Sequence, residues 1–203
     1  CKRTLRRQVE AYVKYTRRIP LLQEFVPGAD ETKLYNYVSE FLQRPSLYAL
    51  PNSQRQLITL VLRKLLASST FAIAGALETL ITRLGQTLDE KAVSTDLADE
   101  LDQDYEALDE LADERRNETE APADGSPMVS TAAEIAAIRS EVSELESFRN
   151  LAVSITENAK GTALLQALKI AFKKLDELDA AKKAIVFTES RRTQDYLLRL
   201  LAG

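Results

Sequence analysis

Apolar residues recur every three or four positions over most of the chain, and that period predicts helices. Leu34, Tyr35, Val38, Phe41 and Leu42 share one face and predict a helix over 31–43. Gly28 marks a turn before it, Asp30 can cap it, and Pro45 follows its end. Ser53 opens a second helix striped by Leu57, Leu60, Val61, Lys64 and Leu65. Ile58, Leu62 and Leu66 widen that stripe, so this helix should be largely buried. A third helix runs through Phe71, Ile73, Ala74, Leu77, Leu80, Ile81 and Leu84, and Gly75 inside it marks close helix packing.

The middle of the chain keeps the period with a different face. Leu97, Leu101, Tyr105, Leu108 and Leu111 form a narrow apolar stripe amid Asp and Glu. The stretch APADGSPM then predicts a loop at about 120–129. Thr131 and Glu134 fit a capping box. From there Ile135, Ile138, Val142, Leu145, Phe148, Ala152 and Ile155 predict a helix of about 28 residues, near 40 Å long. Paired across the loop, the two helices would make an antiparallel hairpin projecting from a core. A next helix should turn Leu164, Leu168, Ala171, Phe172, Leu175 and Leu178 inward.

The period breaks twice. LLQEFV, 21–26, lies between Pro20 and Pro27 and reads as an extended segment or edge strand. Ala184-Ile185-Val186-Phe187 is a continuous apolar run, which fits a strand covered on both faces. Thr188-Glu189-Ser190 is a polar tip, and Arg191-Arg192-Thr193 opens a last helix with Tyr196, Leu197, Leu200 and Leu201. A parallel strand needs parallel neighbours. The expected fold is therefore mainly α: a helical bundle with a long antiparallel hairpin, ending in one β-α unit of an incomplete α/β lobe.

Composition narrows the chemistry. The 203 residues include a single Cys, Cys1, and no His, so Ser-His and Cys-His pairs and His-ligated metals are excluded. No signal peptide or long apolar run is visible, so a cytoplasmic protein with no membrane partner is expected. The absence of an initial Met suggests processing or a cut from a longer chain. Charge is segregated: residues 1–84 carry 13 basic and 6 acidic side chains, and residues 85–124 carry 3 and 15. The remainder carries 11 and 10, giving a net charge of −4. The opening CKRTLRRQVEAYVKYTRRIP predicts an amphipathic basic helix. Its Arg3, Arg6 and Arg7 are candidates for phosphate contact, or else a solvated face. The acidic stretch reads as a solvated face or as a partner-binding arm.

The order of these pieces resembles a known family. The basic helix with Arg17-Arg18-Ile19-Pro20, the Glu31-Thr32-Lys33-Leu34-Tyr35 helix start and the Leu-rich L-x-L-R-K-L-L helix come first. After an insertion follows K-K-A-I-V-F-T-E-S-R-R-T-Q-D-Y-L-x-x-L-L. Together they resemble the Snf-type branch of superfamily two helicase-like ATPases, and Ala184 to Leu201 resembles motif IV of the second RecA-like lobe.

The resemblance implies three zones: a basic helical region over 1–84 following the first lobe, an acidic hairpin over 85–160, and the start of the second lobe over 161–203. It implies an inter-lobe segment of an ATP-dependent translocase or remodelling helicase, acting on nucleic acid of the double-stranded DNA kind. In a bacterium the parent would be nucleoid-associated. It also implies that Thr188, Glu189, Ser190, Arg191, Arg192 and Thr193 sit where motif IV meets the nucleic-acid backbone, and a helix start with two Arg suits phosphate. An ordinary strand-to-helix cap is the alternative.

No G-x-x-x-x-G-K-[ST] loop, Walker B box or arginine-bearing motif is present. This segment should therefore hold no cofactor and hydrolyse no ATP by itself, while ATP and Mg²⁺ belong to the parent. The rival reading is a non-enzymatic helical adaptor or interaction module, which should have no lone, doubly buried strand. A lone strand 184–188 in a motor fragment could pair with its own copy in a homodimer.

Overall fold

The computed structural model describes Tyr12 and residues 20–51, 54–89 and 132–202. These residues are mainly helical. In chain order they form α1 (Ala29–Leu42), α2 (Arg55–Ser68), α3 (Thr70–Leu88), α4 (Ala132–Ser154), α5 (Ala159–Glu177) and α6 (Arg191–Ala202). The basic opening helix, Ser53, the acidic helix, the 120–129 loop and Thr131 all lie outside the described residues.

One core joins α1 to α4. Leu34, Val38 and Phe41 of α1 meet Ile58, Val61 and Leu65 of α2 and Ile73, Leu77 and Leu80 of α3. From α4 come Ile138, Leu145, Phe148 and Ala152. The packing of α3 on α4 is the most extensive among the described helices. This corrects the expectation that the second hairpin arm projects: Ala132–Ser154 is a wall of the core. Its 23 residues are shorter than the predicted 28, because Asn158 starts a new helix by accepting from the Lys160 N–H at 3.0 Å. Among the α2 stripe, Leu60 is exposed rather than buried.

Polar groups fix how the helices meet. Gly28, not Asp30, precedes α1, and Glu31 Oε2 accepts from the Gly28 N–H at 2.7 Å. Glu31 Oε1 accepts from the Ala159 N–H at 3.0 Å, so one carboxylate joins the starts of α1 and α5. Its negative charge suits both N-terminal dipoles. Ser69 separates α2 from α3 and caps α3, its hydroxyl accepting from the Ala72 N–H at 3.1 Å.

At the other end of α1, Arg44 donates to both oxygens of Glu144 on α4, at 2.7 and 2.6 Å. That paired bond raises the Arg44 pKa above its ordinary value, against a smaller effect of burial. Arg44 also lies 5.1 Å from the Phe41 ring centre. The pair remains 42% and 31% exposed, so solvent screening limits its worth. Arg44→Ala is expected to cost about 1 kcal/mol in denaturant unfolding, less in high salt. A loss that does not shrink between low and high salt would show that packing over Phe41, not charge, accounts for it.

The two extended segments depart from expectation. Residues 21–26 are irregular and mostly exposed, and no strand occurs among the described residues. Ala184–Phe187 has no regular secondary structure and joins no strand among the described residues, with Ile185 81% and Phe187 90% exposed. The expected cover on both faces is missing, because the chain offers no neighbouring strand among the described residues. The predicted inward face of α5 is likewise only half covered. Leu164, Leu168, Ala171, Phe172 and Leu175 are half-buried, and Leu178 is exposed.

Candidate functional site

The polar tip and the start of α6 were predicted to carry function, and they sit against the helical body. Ser190 caps α6: its carbonyl accepts from Gln194 N–H at 2.9 Å, and its hydroxyl from Thr193 N–H at 3.4 Å. Thr188 Oγ1 in turn accepts from the Ser190 N–H at 3.4 Å. The Thr193 hydroxyl lies 2.9 Å from both Ser68 Oγ and Ser69 Oγ, at the junction of α2 and α3. Thr188, Ser190 and Thr193 therefore meet in one region, but their hydroxyls serve the fold. Ser190 is only 1% exposed and Thr193 is buried too.

The two arginines part ways. Arg191 is exposed at the helix start. Arg192 lies over Gly75 of α3, so closely that a Cβ there would collide with its guanidinium. That is the close packing predicted at Gly75, and its partner is α6. Arg3, Arg6 and Arg7 lie outside the described residues.

A groove of about 800 Å³ runs beside α6. Its walls are Ser68 and Ser69, Asn158 to Gly161 less Ala159, Val186 to Glu189, and Tyr196 with Leu197. Lys64 and Lys160 stand at its edge, and Lys160 Nζ donates to the Ala67 carbonyl at 3.1 Å. Tyr196 stacks on Phe71 of α3, ring centres 4.6 Å apart and planes 20° apart. Burial raises the Tyr196 pKa above its ordinary value, and a hydrogen bond with the Asn158 backbone opposes that shift.

Sequence reasoning missed Ser68, Ser69 and Gly161. The signals were present: two Ser between Leu-rich helices, and a lone Gly in the first turn of α5. What they touch lies more than 30 positions away (Thr193 and Tyr196), which no local pattern reveals. Among the described residues, no three His, Cys, Asp or Glu are grouped to hold a metal, and no helix is long and apolar enough to cross a membrane. Comparison with protein-family models, curated proteins and solved structures finds no match.

Proposed function

We propose that this chain is the helical bridge between the two motor lobes of a Snf-type, ATP-dependent nucleic-acid translocase. On this reading α1 to α4 are a rigid brace, and residues 184–202 are the first strand and helix of the second lobe. The observation that carries it is the exposed run Ala184–Phe187. Four consecutive exposed apolar residues with no strand partner among the described residues, followed by a capped helix, are what a central parallel strand would leave without its neighbours. The order of sequence signatures around it supports the same reading.

In the parent, Arg191 and the start of α6 would face the phosphates of double-stranded DNA, with Thr188 beside them. Ser190 and Thr193 would hold that helix start in place rather than touch the nucleic acid. ATP and Mg²⁺ would bind elsewhere in the parent, and this chain alone is expected to turn over no ATP. Sequencing the reading frame on both sides tests the reading. A phosphate-loop lysine upstream and an arginine-bearing motif downstream are expected. Stop codons close to both ends would overturn it.

A second reading, a helical adaptor, is favoured by the α1–α4 core, which among the described residues is built from helices and their connecting turn alone. The two readings share one expectation for the isolated chain. An exposed apolar edge recruits another strand, here the same segment of a second copy. Val186→Pro removes a backbone donor from that edge and should shift the chain from dimer to monomer in sedimentation. Dimers that survive the substitution would rule out pairing through 184–188.

A further inference from the structure

We infer that the apolar stripe of α5 is the seat of the chain's own acidic segment, residues 97–111, which docks on it with leucines inward and carboxylates toward lysines. This holds whether or not the chain belongs to a motor. Full burial on α5 is confined to its start, at Gly161 and Ala163. Tyr196 and Leu200 of α6 lie over Gly161, and α6 is the main neighbour of α5 among the described helices. From there on the stripe is incompletely covered. Leu164, Leu168, Phe172 and Leu175 are half-buried, and Leu178 is 59% exposed. An apolar stripe that long implies a neighbour along its whole length.

Two observations select the occupant. The first is spacing. Leu164, Leu168, Phe172, Leu175 and Leu178 step by four, four, three and three residues. Leu97, Leu101, Tyr105, Leu108 and Leu111 step in the same way, so two helical stripes of equal length, about 21 Å, could lie side by side.

The second is charge. Residues 97–111 carry seven acidic and no basic side chains, whereas residues 159–183 carry six basic and three acidic. By helical spacing Lys169 and Lys174 fall on opposite sides of the α5 stripe. Lys169 makes no ion pair among the described residues, and Lys174 pairs with Glu177 at 2.7 Å, half exposed on both sides. So open a pair holds its lysine weakly, and Lys174 can turn to a carboxylate across the stripe. The basic opening helix has a stripe too, but its charge has the same sign as α5 and repels it.

Hydrogen exchange on the whole chain tests the docking from both sides. Leu101→Asp with Leu108→Asp is expected to speed exchange over 164–178 roughly tenfold or more, with α1 to α4 unchanged. Phe172→Asp should in turn speed exchange over 97–111. Lys169→Glu with Lys174→Glu should loosen both stretches, less so in high salt. Unchanged exchange over 164–178 in the Leu101→Asp, Leu108→Asp chain would overturn the proposal, even if Phe172→Asp fails to fold. An equal loss across α1 to α4 would overturn it as well. Charge reversal without effect would overturn the choice of the acidic segment. Protection of 164–178 that rises with protein concentration would place a second copy on the stripe, and so overturn docking within one chain.

Discussion

Phe148→Ala is expected to cost the fold about 3–5 kcal/mol, a large fraction of the stability of an ordinary domain. Phe148 is buried on α4 and reaches two aromatic rings of α1. Its centre is 5.9 Å from that of Phe41, edge to face at 80°, and 6.0 Å from that of Tyr37. Truncation removes the buried ring and both aromatic contacts, and leaves a cavity where α4 meets α1. Phe172→Ala is the control. Phe172 sits on a helical stripe that looks equally apolar in sequence, yet it is half-buried on α5. Its loss should cost about 1 kcal/mol. Denaturant midpoints at unchanged slope measure both. A loss at Phe148 no larger than that at Phe172 would remove α4 from the core.

That contrast marks how far the sequence can be read. Helical period located α1 to α6, since each carries its own apolar stripe. The same period could not tell a stripe that meets the core from one that does not. Phe148 and Phe172 have similar local patterns, and only the packing of distant helices separates them. The 184–187 run failed differently. Its composition is that of a doubly covered strand, but a strand is a property of pairs, and no partner is present among the described residues. At the candidate site, the cap at Ser190 was legible as a polar residue before a helix. The burial of Thr193 was not, because its partners Ser68 and Ser69 are far off in sequence. For the proposed bridge this distinction matters: the well-read helices would be the brace, and the poorly read contacts are where it meets α6.

Glu141 is where the pattern was read one residue off. The predicted stripe passes from Ile138 to Val142, whereas the buried face runs Ile138, Glu141, Leu145, Phe148, Ala152, stepping three and four residues alternately. A carboxylate therefore occupies a core position, only 9% exposed. Its two oxygens accept from the backbone N–H groups of Tyr48 and Ala49, at 3.0 Å each. These donors belong to the turn between α1 and α2, whose Leu47, Ala49 and Leu50 enter the core. A charge is tolerated there because it replaces water for two donors that no helix can satisfy. Glu141→Ala strands both donors and is expected to cost about 2–5 kcal/mol. Glu141→Gln keeps one acceptor and turns an amide N–H toward the other donor, so about 1–3 kcal/mol is expected. Exchange of the Tyr48 and Ala49 amides should accelerate in both variants, more in the Ala form. Stability unchanged by Glu141→Ala would mean that water reaches these two N–H groups, and that the turn is held by Leu47 and Leu50 alone.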